Sequence, residues 1–397
     1  MPSSTKSETM RILMVTSRFP FPPWRGNQLR TVQWLNALAD HQILLICPSP
    51  EGAELPADFE AEVRYLPNGG LATACGFVAA IAGGRPAQEG VYSTGARRRT
   101  VAAGVAEWRP DTAVVQMVRC GWAADEIGEL QPELPLIFDA IDSMALHYDR
   151  AVPSTAAALR PAFRLEAARC HRREGQLVAR ATVVTAVSRR DLEALNPGRK
   201  GKVVPVAAGV AAAADRPPVE QPTVLLSGNL GYRPTVRAAC WFAAEVWPGL
   251  RERIPSVRWV IAGARPAPAI QRLGLQDGIE VHGDVTDLGD HLRQTSVAIA
   301  PMASGSGVAI KILEALAAEV PVVADPWSAA GLEDPAAVAV VEGAAAWVDS
   351  IADLLSDEVT ARAQAVRGVE SWSRYYEPGR VATRIREAVD AAVEDGG

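Results

Sequence analysis

The sequence predicts an α/β protein built from two Rossmann-like domains, each with a parallel sheet and its own core. Three observations carry that expectation. Short apolar runs alternate with longer amphipathic stretches, the pattern of βαβ units. The alternation runs through the first half of the chain, stops near residue 206, and restarts at 223. The 397 residues suffice for two or more cores at roughly 150 residues each.

In the first set, the runs at 11–16, 43–47, 112–117, 136–140, 182–187 and 202–206 read as strands, each too short for a good helix. Residues 207–222, AAGVAAAADRPPVEQP, mix small residues with three prolines and show no period, so they read as a linker. The second set follows with strands at 223–228, 257–263, 278–283, 296–301 and 320–325. One last amphipathic helix follows Pro378 with no strand behind it, which suits a segment that returns to the first domain. The expected division is therefore an N-terminal domain over 1–206, the linker, a second domain over 223–376, and a returning helix over 377–397. Two such domains would face each other across a cleft, with ligands at the carboxyl ends of the strands.

Composition narrows the function. Hydrophobic residues make 48% and charged residues 22% of the chain, values of a folded globular protein. Net charge is -6, which removes the generic electrostatic argument for nucleic acid or an anionic membrane, so any anion must be met locally. The five cysteines stand singly without metal-ligand or disulfide spacing. With an amino terminus unlike a signal peptide, this predicts a cytoplasmic protein. From Tyr65 to Gly84 no residue is charged, yet glycines and a proline interrupt the run. A buried helix is expected there, with peripheral membrane contact as the lesser reading.

The densest chemistry lies in PMASGSGVAIKILEALAAEVPVVADPWSAAG, residues 301–331. A strand leads into a turn through Gly305, Ser306 and Gly307 and then into an alanine-rich helix. Glycines let backbone approach a ligand, while a helix start offers free N–H groups and the positive end of the dipole to phosphate oxygens. Glu314 follows Lys311 by three residues, on the same helix face. A carboxylate so placed can accept hydrogen bonds from a ribose diol.

This segment resembles the nucleotide-binding region of the retaining glycosyltransferases of family 4, which have the two-domain GT-B fold. That family carries two glutamates separated by seven residues, then a small-residue helix and a Pro-Val-Val strand. Glu314 and the following ALAAEVPVVAD match the second glutamate and its sequel, while Ser306 stands where the first would be. A subset associated with exopolysaccharide loci shows a glycine-rich turn with Lys before Leu-Glu, as in Gly307, Lys311, Leu313 and Glu314. The likeness implies that Glu314 grips the nucleotide ribose and that position 306 lies nearer the sugar. It extends to the amino terminus, where a Pro- and Gly-containing loop precedes the first helix; Gly26 would approach the donor phosphates, with Arg25, Asn27 and Arg30 nearby. It also covers 227–248, the opening of the nucleotide domain, with Gly228 at its head, and 164–191, whose charges are expected to line a solvated helix face.

The family's usual Arg and Lys are absent from their places after Gly228, so the growing charge on a diphosphate leaving group needs other cations. Lys311 and Arg233 are the favoured candidates, ahead of Arg237. No Asp-x-Asp motif stands at a strand end, so no metal and no cofactor are expected. In the first domain Asp142, with Asp139 and Ser143, ends a strand where an acid can orient a hydroxyl or receive its proton; helix capping and strand-end solvation are their bland alternatives. Arg97, Arg98 and Arg99 read as surface charge. His282 ends a strand where a loop could meet a base, whereas His291 carries no signal.

The expected activity is metal-independent transfer of a sugar from a nucleotide diphosphate sugar to an acceptor nucleophile, sugar, lipid-linked or small molecule, with retention at the anomeric carbon. Two rivals share the binding half: a degenerate nucleotide-sugar or partner-binding protein, and an epimerase or pseudo-glycosidic coupling enzyme. No nucleic acid partner is expected.

Overall fold

The computed structural model of the chain describes residues 9–396 apart from 24, 51, 53, 58, 208–218, 286, 303–306 and the side chain of Ser154. The chain divides into two compact units, one running to Val206 and resuming at Val381, the other Ala207–Arg380. Of the expected linker, 208–218 lie outside the described residues.

The first unit runs β1 (Arg11–Val15), α1 (Gly26–Ala37), β2 (Gln42–Pro48), β3 (Glu62–Leu66), α2 (Gly70–Ala82), α3 (Ala87–Tyr92), α4 (Gly95–Trp108), β4 (Thr112–Gln116), α5 (Gly121–Leu130), β5 (Leu136–Ile141), α6 (Met144–Ser154), α7 (Arg160–Arg180), β6 (Val183–Ala186), α8 (Arg189–Leu195) and β7 (Gly201–Val203). Its sheet is parallel throughout, in the order β3-β2-β1-β4-β5-β6-β7. The central strands β1, β4 and β5 are almost wholly buried, which is why their sequences are near-continuous apolar runs. Polar side chains start three helices of this unit: Thr94, Ser143 and Ser188 accept the N–H of Arg97, Leu146 and Asp191 at the starts of α4, α6 and α8.

Four expectations fail in this unit. The sheet has a strand the apolar runs do not announce, β3; its EVRYL is a half-exposed edge, so it alternates and carries charge. Helix α2 is not buried: Ala80 is its one buried residue, and Leu71 and Val78 stand in solvent. Helix α7 keeps only part of its charge in water: Arg160, Arg164 and Arg172 are exposed, but Glu166, Arg173 and Glu174 are buried. Its Arg173 pairs with buried Glu89 at 2.8 Å and with Asp125 at 2.8 Å. Nor is Arg97 a surface residue; its guanidinium, buried under α4, donates to the carbonyls of Pro67, Val91 and Tyr92.

The second unit runs β8 (Thr223–Asn229), α9 (Arg233–Trp241), α10 (Trp247–Arg253), β9 (Arg258–Ala264), α11 (Pro268–Leu273), β10 (Ile279–Gly283), α12 (Gly289–Arg293), β11 (Val297–Ala300), α13 (Ile310–Ala317), β12 (Val322–Ala324), α14 (Pro326–Ala329), β13 (Ala339–Val340), α15 (Ala344–Ser356) and α16 (Glu358–Tyr375). Its parallel sheet has the order β10-β9-β8-β11-β12-β13. Side-chain alternation splits the core in two. Leu225, Ala298, Ala300 and Val322 face α13 and α16, while Val224, Leu226, Val297, Ile299 and Val323 face the aromatic layer of Phe242, Trp247, Trp259 and Trp347. Between α9 and α10 the helix widens to a π-turn, Trp247 N–H reaching Phe242 five residues back. Pro248 explains the widening, since it has no N–H and its ring crowds the preceding turn.

The last helix, α17 (Pro378–Gly396), buries Val381, Ile385, Ala388, Val389 and Ala392, one stripe at helical spacing. It packs on the first unit: Arg386 pairs with Asp40 at 3.7 Å, and Gly396 lies against Pro135.

Candidate functional site

In both sheets the strand order reverses beside the first strand, between β1 and β4 and between β8 and β11. Ligands of open α/β sheets bind beyond the carboxyl ends of the strands at such switch points.

In the second unit the end of β8 is stripped of side chains. Gly228 has φ +124° and faces Gly263 of β9 in register. Gly263 has φ +154°, and a Cβ there would stand 1.8 Å from the Gly228 carbonyl oxygen. Both positions therefore demand glycine. Lys311, arriving from α13 after β11, lies over the bare strand end: a Cβ on Gly228 would be 3.5 Å from its Cε and 3.7 Å from its Nζ. The structure thus brings Gly228 and Lys311 together.

Lys311 Nζ rests 3.6 Å from Met302 Sδ, with no carboxylate within 4 Å among the described residues. Desolvation pulls its pKa from 10.5 down to about 8, against the opposing charges of Glu314 and Asp325. Glu314, half-buried one turn further along α13, is pushed up from 4.5 to about 7 by desolvation, against the pull of Lys311. Asp325 is raised by burial as well, but it is held by the N–H groups of Trp327 and Ser328 and the Ser328 hydroxyl.

The start of α13 has no side-chain cap; Ala309 is its N-cap residue. Ile312 N–H donates back to the Ala309 oxygen at 2.9 Å, while no described side chain caps the N–H groups of Ile310 and Lys311 at the positive end of the dipole. Gly307 precedes it with φ +71°, and Gly331 packs so tightly on it that a Cβ there would meet the Gly307 oxygen at 2.5 Å. Gly305 and Ser306 lie outside the described residues. Arg233 opens α9 in an exposed position and makes no hydrogen bond or ion pair among the described residues, so no contact joins it to Lys311. His282 meets not an open loop but His291, Nδ1 to Nε2 at 2.8 Å, with Glu280 3.3 Å from its other nitrogen. His291, which carries no signal in the sequence, is thus half of a pair.

In the first unit, Gly26 is the first residue of α1 and Arg25 its N-cap residue, without a side-chain cap. Asn27 lies inside the helix rather than capping it. Arg30 corrects the expectation that it lies near donor phosphates. It is fully buried and forks onto Asp139, Nη2 to Oδ1 at 2.9 Å and Nε to Oδ2 at 3.1 Å, and also donates to the carbonyls of Val204 and Pro205. Asp139 accepts further from Gln116 and Thr185. With every oxygen satisfied and no solvent access, Asp139 neither orients a substrate nor hydrates the strand end; it locks β4, β5 and β6 to α1.

Asp142 is the half-buried acid left at that edge. Ile141 before it has φ +64°, an uncommon conformation for a β-branched residue, at a bulge in the pairing of β5 with β6. Two acids the sequence reading passed over stand beside it. Glu174 accepts from the Ser143 hydroxyl at 2.9 Å and from Met144 N at 2.7 Å, and is pushed up to about 7 by burial, with Asp142 adding to the rise. Asp191 accepts from Ser143 N and the Ser188 hydroxyl, and burial raises it too. Only the spacing of acids against Ser143 and Ser188 hinted at them, since their contacts join residues far apart in the chain.

Comparison with known proteins finds the same architecture elsewhere. Residues 221–357 match the family described as Glycosyl transferases group 1. No curated protein sequence matches the chain. Among solved structures, sucrose-phosphate synthase from Thermosynechococcus elongatus is similar at 16% identity, with a TM-score of 0.74 over 96% of this chain and 98% of that one. HepE from Anabaena, in a complex with UDP and glucose, is 14% identical, with a TM-score of 0.64 over 96% and 99%. A glycosyltransferase from Rickettsia africae is 12% identical, with a TM-score of 0.66 over 98% and 99%. The fold is therefore that of the GT-B glycosyltransferases, as the motif at 301–331 led one to expect.

Proposed function

We propose that this chain transfers a sugar from a nucleotide diphosphate sugar to an acceptor nucleophile, with retention at the anomeric carbon and with no cofactor or divalent metal. The observation that carries the reading is the placement of Lys311 over the bare backbone of Gly228, with Glu314 one turn further along the same helix. A diphosphate at the uncapped start of α13 would meet helix N–H groups, the dipole end and one ammonium whose charge is otherwise unmatched. Glu314 is one helical turn away, the right distance to accept hydroxyls of the attached ribose. The family match over 221–357 and the UDP and glucose held by HepE support the same assignment.

In the reaction, the bond from the anomeric carbon to the diphosphate oxygen breaks and its electron pair stays on the phosphate. The acceptor oxygen attacks the same face and forms the new bond, and its proton passes to the departing phosphate oxygen. Negative charge on the diphosphate grows toward the transition state, so Lys311 binds that state more tightly than the donor. Arg233 is assigned the second cationic role, Gly26, Gly305 and Gly307 close backbone approach, Ser306 the sugar side, and Asp142 the orientation of the acceptor. The five free cysteines fit work in a reducing cytoplasm.

The test is a thermal-shift panel of UDP, GDP, ADP and TDP sugars, followed by mass spectrometry of products formed with the best binder. A true donor at a hundredfold excess over Kd stabilises by about 2.7 kcal/mol. Binding with turnover and retained anomeric configuration supports the reading. Binding without turnover across many acceptors points to a non-catalytic nucleotide-sugar binder, and no binding at all overturns the site.

A further inference from the structure

Helix α2 packs the wrong way round for a helix that meets only water. Its small residues face the protein: a Cβ on Gly76 would stand 2.4 Å from the Gly90 oxygen of α3, and one on Gly90 would meet the Ala80 Cβ at 2.5 Å. Its large residues, Leu71, Phe77, Val78 and Ile81, face out, Leu71 82% and Val78 64% exposed. On a helical wheel these four span about a third of the circumference, opposite Gly76 and Ala80. The helix holds no charged residue, and neither does the chain from Tyr65 to Gly84. Contiguous apolar surface of this kind on a soluble domain marks a contact site.

Immediately beyond the helix the character reverses. A cavity of about 540 Å³ opens at Gly83 and Gly84, where Arg85, Arg98, Arg169, Arg172, Arg173 and Arg180 outnumber two acids, Asp125 and Glu129. Two of these arginines are tied to the end of the apolar helix, Arg169 donating to Ile81 O at 3.1 Å and Arg172 to Gly84 O at 3.3 Å. Some of the charge is already spent. Arg173 pairs with Glu89 and Asp125, Arg85 with Asp125 at 3.8 Å, Arg98 with Glu126, and Arg169 with Glu166. Exposed Arg172 and half-buried Arg180 have no carboxylate within 4 Å among the described residues.

We propose that α2 and this arginine cavity form a surface that docks on an anionic lipid bilayer, the apolar face entering the acyl boundary and the arginines meeting headgroup phosphates. An apolar stripe and unmatched guanidiniums side by side are complementary to the two layers of such a surface. At 13 residues α2 is about 20 Å long, too short to span a bilayer and suited to lying in its plane. The chain's net charge of -6 makes the attraction local to this patch. The inference does not depend on the proposed transfer reaction, because its test reads binding alone.

The experiment is flotation of the full chain with vesicles of phosphatidylcholine alone and of phosphatidylcholine with about a third phosphatidylglycerol. The parent is expected to float with the anionic vesicles at low salt and to come off as salt rises. Leu71→Glu with Val78→Glu, and separately Arg172→Glu, should each weaken partitioning by about tenfold or more. Hydrogen exchange on the parent gives a second test independent of any variant: vesicles should protect amides within 70–85 and around 169–180. Three results overturn the proposal. They are no binding of the parent to anionic vesicles at low salt, protection confined to other segments, and a parent dimer that the Leu71→Glu, Val78→Glu pair converts to monomer without any vesicle binding.

Discussion

The strand ends of the two units put charge to opposite uses. In the first unit every buried charge at that edge is consumed by the fold. Arg30 and Asp139 pair and are completed by Val204, Pro205, Gln116 and Thr185, Glu174 holds the start of α6, and Asp191 holds Ser143 and Ser188. In the second unit Lys311 and Glu314 share one helix face, yet each has its charged form disfavoured by burial, and no hydrogen bond satisfies Glu314 among the described residues. The same sheet order therefore carries a locked edge in one unit and a primed one in the other. A charge that the fold leaves unsatisfied is available to a ligand.

The sharpest way to break this contrast is to remove one partner on the locked side. Asp139→Ala strands the Arg30 guanidinium without solvent, and is expected to cost about 3 to 5 kcal/mol of stability by urea unfolding of the first unit. On the primed side, Lys311→Ala should lower kcat/KM by about a hundredfold or more while leaving the unfolding midpoint in place, because it removes transition-state charge stabilisation and no structural bond. Arg237→Ala, exposed on α9, should change little. If Arg237→Ala cripples turnover and Lys311→Ala is silent, the cation assignment is wrong.

Glu314→Ala should weaken nucleotide binding by about 1 to 3 kcal/mol in titration calorimetry, and Glu314→Gln by less, since the amide keeps an acceptor. Activity should also follow pH in a stated direction. In the proposed reaction Lys311 acts as the ammonium, and desolvation holds its pKa near 8, below the ordinary 10.5, so kcat/KM should fall as pH rises through about 8. Lys311→Arg should move that limb upward even if it lowers the rate. The smallest effect expected is that of EDTA: turnover should survive it, and loss restored by magnesium would contradict the metal-independent assignment.

Both sheets were legible because buried parallel strands are short apolar runs, and ten or more such runs fell into two sets with a proline-rich gap. Strands β3 and β13 escaped for the converse reason: each is a half-exposed edge with no continuous apolar signal. The misreading of α2 shows that an uncharged run reports composition and not burial; the packing contacts were made by Gly76 and Ala80, and the large residues were left over. At the site, Gly228, Lys311 and Glu314 could each be named from residue type and position. The contact between Gly228 and Lys311, the glycine pair with Gly263 and the burial of Arg30 against Asp139 could not, because all three join residues remote in sequence.

The most direct measurement of the central claim is calorimetric titration of the best-binding nucleoside diphosphate at pH 8 in two buffers of different ionisation enthalpy. Diphosphate beside Lys311 favours the ammonium, so the parent should bind with proton uptake, visible as a buffer-dependent heat. Lys311→Ala should bind more weakly and without that uptake. Equal affinity and equal proton uptake in the parent and Lys311→Ala would show that the diphosphate does not sit at the end of β8, and would contradict the account.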